Sequence, residues 1–417
     1  MLVLFYASIL LLATNSAYGQ RGPRLQCRDE NDSPVDWYVL YKLPKIPQSS
    51  NPLLQKGLGY LYITNKTANV GWRLSNKPIS ANNSIPALTL APIYDDETSA
   101  GKLWLLHSDS PPDTSMSGKY GHTKGAVVSD KRQGFWLVHS VPNYPPTPNG
   151  GEKVRKRLGE GVEADGKRFT EGRYDYPHSG LNYGQSFLCI SLGSDQLDTV
   201  GKQLMYNQII VYSRNVPLDL ARQYPVLSDA AKQVRIRSPP YYNKVVLKSL
   251  QSVEFTSFAK SDKWQKDLYD DFVAPSLQSD LMVSTWLNGR KPLPSDCVGA
   301  KVFNIESVTL AAAKADFKTS RDHSKWAVAV DNKSNRNWVC IGDINRAETQ
   351  YTRGGGTVCF NNPIVWKNYR DAVNERERER VAIDRLELTL DTLCNRICIN
   401  NLIKTVCAFH LKHLAHT

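Results

Sequence analysis

Two short stretches carry residue types that could do nucleophilic and acid–base work together. Gly121-His122-Thr123-Lys124-Gly125 runs into the apolar AVV and then Asp130. Asp322-His323-Ser324-Lys325-Trp326 runs into AVAV and then Asp331. Each is a His-x-Lys leading into an apolar strand that ends at an Asp six residues after the Lys. On a strand, residues i and i+2 share a face. Each pattern therefore points an imidazole and an ammonium into one space. Two such pairs suit phosphodiester cleavage without a metal or any other cofactor. One imidazole can attack phosphorus and carry a phosphohistidine. The other can protonate the leaving oxygen and then activate water. The two Lys can stabilise charge on the non-bridging oxygens. So can the Asn amides of Ser140-Val141-Pro142-Asn143 and Gly342-Asp343-Ile344-Asn345, which follow the first and second copies. The roles need one imidazole neutral and the other protonated, and an unperturbed pKa of about 6.5 allows that at mildly acidic pH. A lone His-x-Lys is usually an ordinary surface or core histidine. Two copies with the same sequel are more specific.

The elements that must position these residues are mostly strands. Alternating apolar, β-branched and aromatic residues predict them at 36–43, 60–64, 102–107, 134–140, 186–192, 244–247, 281–287 and 337–341. Amphipathic spacing predicts helices over 262–277 and 363–373. The fold class is mixed α/β and strand-rich, with long loops. Residues 147–175 are Gly-rich and charged and read as an exposed loop. From Arg370 the chain changes character, through ERERER at 375–380 to a helical, Cys-containing tail.

The 417 residues hold 52 Lys plus Arg against 40 Asp plus Glu, a formal charge of +12. That balance fits a polyanionic partner, nucleic acid or an anionic membrane surface. The composition, 41% hydrophobic and 22% charged, excludes wholesale disorder. Residues 1–19 read as a cleaved signal peptide, since the apolar run is too short to span a membrane and Ala17-Tyr18-Gly19 suits a signal peptidase. No later run is long enough for a membrane span. The eight Cys of an exported chain imply disulfides. Asn65, Asn82 and Asn332 stand in glycosylation sequons, and Asn31 in a weaker one followed by Pro34.

GHTKG, GFWLVHSVPNYP, YGQSFLCIS, SFAKSDKWQKDLY, DHSKW, CIGDINR and RGGGTVC, with PVDWYVLYKLP near the start, resemble deoxyribonuclease II. The resemblance covers about Cys27 to Tyr369. It implies a phospholipase D-like pseudo-dimer, two similar halves sharing one active site. It implies a metal-independent acid endonuclease that acts on double-stranded DNA, leaving 3′-phosphate and 5′-hydroxyl ends, in the lysosome or after secretion. The halves would be 20–235, with 147–175 inserted, and 236–369, followed by a divergent tail at 370–417. His122 and Lys124 match the family's first catalytic motif, and His323 and Lys325 the second. Asn345 matches the supporting Asn of the second half. His139 and Asn143 lie in the WLVHSVPN segment and would support the site. Analogy with the superfamily favours His122 as nucleophile. The family's bridges imply Cys27 with Cys189 and Cys340 with Cys359. Its usual partner for Cys297 falls where this chain has ERERER, so Cys394, Cys398 or Cys407 substitutes, or Cys297 is unpaired.

Other features have plainer readings beside the chemical ones. Cys394, Cys398, Cys407, His410 and His413 fit no strong zinc spacing. Arg353-Gly354-Gly355-Gly356 reads as a close backbone approach beside the site, because it lacks the Lys of a nucleotide-binding loop. Trp326 packs the site wall or stacks on a base. Asp130 and Asp331 orient site groups or simply form turns. The rival functions are a lipid phosphodiesterase of the phospholipase D type and a catalytically weak, toxin-like secreted DNA-binding protein. The oligomeric state is not legible.

Overall fold

The computed structural model describes residues 25–112, 120–149, 152–153 and 172–377. The expected signal peptide, most of the 147–175 loop, the tail beyond Glu377 and its Cys/His cluster lie outside the described residues.

Two nine-stranded sheets carry the chain. In the first, the strands run in the order Arg73–Leu74, Tyr60–Thr64, Trp37–Lys42, Gln185–Gly193, Gln133–His139, Lys124–Ser129, Leu103–Ser108, Val211–Asn215 and Glu152–Lys153, and every pair is antiparallel. The second runs Tyr242–Lys248, Glu254–Lys260, Gly355–Asn361, Trp338–Gly342, Trp326–Ala329, Leu281–Ser284, Val302–Leu310 and Ala315–Lys318. Leu281–Ser284 and Val302–Leu310 are parallel, and Val373–Arg376 also pairs with the latter. One local strand order recurs. In each sheet the strand fed by a His-x-Lys motif lies between an earlier strand and the strand that follows it in the chain.

Both faces of these strands are buried, which explains their near-continuous apolar runs. Trp37, Val39 and Tyr41 point into a core shared with the second sheet, to which Phe303, Ile305, Ile341, Val358 and Phe360 contribute. Tyr38 and Leu40 point the other way, against Leu90 and Ile93 of the helix Ile85–Tyr94. On the far face of the second sheet, Phe258, Leu281 and Val283 pack against Phe272, Val273 and Leu277. The helix Ser194–Asn207 contributes Leu197, Val200 and Leu204 to the shared core, so it is wedged between the sheets.

The helix expected over 262–277 is broken into a 3₁₀ turn at Asp262–Trp264, a π turn at Tyr269–Val273 and an α turn at Ala274–Leu277. Gln265, at φ 60°, ends the first turn. The Asp267 carboxylate then accepts the N–H groups of Tyr269 and Asp270, both at 2.9 Å, and starts a new one. Pro275 has no N–H for an i−4 bond. The helix expected at the other end forms as Pro363–Ala372, and the chain continues into the edge strand Val373–Arg376, so the start of ERERER is part of a sheet.

Cys27–Cys189 and Cys340–Cys359 are disulfides, and Cys297 is also disulfide-bonded. Asp130 accepts Arg132 N–H and Gln133 N–H, and Asp331 accepts Lys333 N–H, so both are turn residues. Trp326 is fully buried against Tyr41 and Tyr369 and forms wall rather than an exposed stacking platform. Among the described residues no helix is long and apolar enough to cross a membrane.

The wedged helix leaves no room at Gly201, where a Cβ would lie 2.6 Å from the Leu227 backbone. Gly201→Ala should therefore destabilise the fold by about 1–3 kcal/mol through overpacking, although Ala is the better helix former by about 1 kcal/mol. A thermal midpoint at or above that of the unsubstituted chain would contradict this packing.

Candidate active site

The histidines precede their strands, which begin at Lys124 and Trp326, so neither imidazole is placed by pleat alternation. Main-chain bonds between segments of the two sheets place them instead. His122 N–H donates to Gly354 O at 2.8 Å, and His323 N–H donates to Gly184 O at 2.9 Å. Gly121 N–H also donates to Gln208 O, just past the end of the wedged helix. The Asn207 carbonyl fits against both Gly121 and Gly354, where a Cβ would come within 1.8 and 2.4 Å of its oxygen. The glycines of Arg353-Gly354-Gly355-Gly356 thus serve the close backbone approach expected from the sequence.

Side chains complete the hold. His122 Nδ1 lies 3.0 Å from Gln350 Oε1, and His323 Nδ1 lies 3.1 Å from Ser140 O and 3.3 Å from Gln185 Oε1. Carbonyl oxygens only accept. The accepting oxygens therefore favour a proton on Nδ1 of each imidazole, whereas an ammonium at Lys325 favours a lone pair on His323 Nδ1. Lys325 Nζ donates to His323 O at 2.6 Å and sits 3.1 Å from the same Nδ1. The edge of Trp286 meets the His323 ring at 5.4 Å.

Beneath His122 lies a fully buried carboxylate, Asp109. It pairs with Lys124 and, at 3.0 Å, with Arg353 Nη2, and its Oδ2 is 3.8 Å from His122 Nε2. Burial alone would raise the Asp109 pKa. Lys124, then His122 and Arg353, outweigh burial and hold it below the usual carboxylate range. Arg353 also donates to the carbonyls of Tyr120 at 2.9 Å and Gly121 at 3.2 Å. The loop that offers Gln350 and Arg353 is pinned by buried Lys260, whose Nζ donates to Gln350 O, Tyr351 O and Arg353 O at 2.7–3.3 Å. Beneath His323, Asp322 accepts the Tyr41 hydroxyl from the first sheet and Ser324 Oγ at 2.6 Å.

Burial is the main reason both imidazoles fall well below the ordinary histidine range. Asp109 works against that fall. Each imidazole is also lowered by the Lys of the opposite motif, which places both His-x-Lys pairs in one electrostatic environment. Burial, followed by Lys124, lowers Lys325 as well. Asp343 is buried near Lys124 and accepts Gly356 N–H at 3.2 Å. Burial pushes its pKa up to about 7, against the pull of Thr123, Gly356 and Lys124.

The remaining expected residues are less direct. Asn143, at φ 60°, ties its loop to Ser110 O and Pro111 O. Asn345 Oδ1 accepts Trp286 N–H at 3.3 Å and so reaches His323 through that residue's ring. His139 touches neither motif histidine. It packs on Tyr144 and Phe187 and accepts Val141 N–H, which shapes the turn after its strand. Asp109, Gln185, Gln350 and Lys260 do not stand out in the sequence. The pairing of Ser108 with Lys124 could have found Asp109, since the next residue then falls opposite Thr123.

Two opposite pH dependences follow. The folded chain keeps His122 and His323 neutral while the unfolded chain protonates them near pH 6.5, so their contribution to stability is lost as pH falls below about 6.5. Folded Asp343 binds its proton near pH 7 and unfolded Asp343 only near 3.8, so its contribution grows over that fall. Asp343→Asn should make the drop in thermal midpoint from pH 7 to pH 5 steeper. An unchanged or shallower drop would contradict the buried carboxyl.

The sequence matches the family model described as Deoxyribonuclease II over residues 26–379. Plancitoxin-1 of Acanthaster planci is 34% identical over 378 residues, 90% of this chain and 98% of that protein. Deoxyribonuclease-2-alpha of Sus scrofa is 33% identical over 358 residues, 85% of this chain and 90% of its own length. Deoxyribonuclease-2 of Caenorhabditis elegans is 32% identical over 388 residues, 86% and 94% of the two chains. Similarity of that extent, to relatives spanned almost end to end, makes this chain a member of the deoxyribonuclease II family.

Proposed function

We propose that this chain is a metal-independent acid endonuclease that cleaves double-stranded DNA through a phosphohistidine. Family membership supports a hydrolytic deoxyribonuclease. The observation that carries the mechanism is the meeting of the two motifs: each imidazole is buried and feels the lysine of the opposite motif, so both His-x-Lys pairs share one environment. In this reading His122 Nε2 attacks phosphorus and the bond to the 5′-oxygen breaks. Protonated His323 gives that oxygen its proton. Neutral His323 then takes a proton from water, which attacks the phosphohistidine and releases a 3′-phosphate end. Lys124 and Lys325 balance the charge on the non-bridging oxygens. Because burial disfavours the protonated imidazole that the first step needs, the reaction calls for acid. The approaching phosphodiester anion favours the same protonation.

Contacts with DNA would be mainly to phosphates, with slight sequence preference and steep weakening by salt. The disulfides support a secretory or lysosomal compartment. Asn82 and Asn332 are exposed and open to glycans. Asn65 is half-buried, with Oδ1 on Asp36 N–H and Nδ2 on Gln251, and is the weaker acceptor. A second reading, a secreted DNA-binding protein of weak activity, draws on the relative named plancitoxin-1.

Mature protein from residue 20 should nick plasmid at pH 5 in EDTA and far more slowly at pH 7.5. His122→Ala and His323→Ala should each slow nicking by at least about 10²–10⁴, with DNA binding largely kept. Nicking that survives either substitution would refute the two-histidine mechanism. A folded protein that binds DNA without nicking it would establish the second reading.

A further inference from the structure

Beside the first motif lies a groove of about 520 Å³ lined by Tyr120, Lys232, Gln233, Val234, Arg235 and Arg237. One cation–π stack lines it and a second adjoins it. The Arg235 guanidinium lies 4.1 Å from the centre of the Tyr120 ring, and Lys263 Nζ lies 5.4 Å from that of Tyr241. Lys263 also donates to Arg237 O at 3.4 Å, which joins the two stacks through the segment between them. Stacking engages the face of a guanidinium and leaves its edge of N–H donors for a planar or tetrahedral anion. Three cations line the groove, and Lys263 adjoins it through the Arg237 carbonyl. Against them stand Asp229, 3.6 Å from Lys232, and Asp262, which accepts Gln208 Nε2 at 2.8 Å. Lys232, Lys263 and Arg237 lie at the surface.

The groove is tied to the chemistry through Tyr120. Its carbonyl accepts Arg353 Nε, and the same guanidinium holds Asp109 beneath His122. Tyr120 and His122 are two residues apart, at most about 7 Å along the chain. One DNA strand advances about 3.4 Å per phosphate along the duplex axis. An anion beside Tyr120 is therefore spaced for a phosphate a few nucleotides from the one being cleaved.

We propose that this groove is a subsite for backbone phosphates flanking the scissile one, with Arg235 and Arg237 as the residues that grip them. The proposal rests on the nuclease reading and adds where the substrate strand runs. Removing one phosphate-binding side chain should lower the slope of log affinity against log salt by about 0.9.

The test uses full mature protein carrying His323→Ala, so that bound DNA stays intact, and a fluorescent 20-base-pair duplex titrated with salt. Adding Arg235→Gln and Arg237→Gln should lower the slope by about two and weaken binding roughly 60-fold at 100 mM salt. Adding Lys131→Gln should change neither. Lys131 is a surface residue paired with Asp219, at the far end of the first motif's strand. If the double variant loses thermal stability, Arg237→Gln alone should lower the slope by about one. An unchanged slope, or an equal fall with Lys131→Gln, would overturn the subsite while wild-type nicking upheld the nuclease reading. No duplex binding by His323→Ala and no nicking by the wild type would overturn both.

Discussion

The Nδ1 atoms of His122 and His323 are each met by a segment of the other sheet: Gln350 meets the first, and Ser140 with Gln185 meets the second. The main-chain bonds to Gly354 and Gly184 cross in the same way. This exchange makes the site a property of the interface between the sheets. The shared core, the wedged helix and the Gly121–Asn207–Gly354 approach all serve to keep two strand ends in register across that interface. The Tyr41–Asp322 bond adds a further tie between the sheets.

Electrostatics explain why such an interface can be buried. Asp109 is a fully buried charge, and such a charge is tolerable only with partners. It has two, Lys124 on a strand of the first sheet and Arg353 just before the strand Gly355–Asn361 of the second. The imidazoles escape the same cost by staying neutral. Asp343 does so by keeping its proton to about pH 7. In the proposed reaction, acid or an arriving anion would complete the charge that burial withholds.

Much of this was legible in the sequence because it rests on local pattern. The strand at Tyr60–Thr64, the helix from Pro363, the paired His-x-Lys motifs and the glycines of Arg353–Gly356 all announce themselves through spacing or residue type. Less legible were the residues whose roles depend on register and on the meeting of distant segments. Asp109, Gln185, Gln350 and Lys260 are ordinary polar residues until the sheets bring them under the imidazoles. The 262–277 stretch has helical apolar spacing, yet Gln265, Asp267 and Pro275 break it locally. His139 sits in a motif-like segment but faces an aromatic cluster.

The reaction proposed for this site is a double displacement through histidine. The stereochemical course at phosphorus tests it most directly, using DNA with a single isotopically chiral phosphorothioate cleaved in labelled water. Two in-line displacements, on histidine and then on water, give net retention, and that is the expected result. Inversion would mean that water attacks the phosphodiester directly, and would contradict the covalent role assigned to His122.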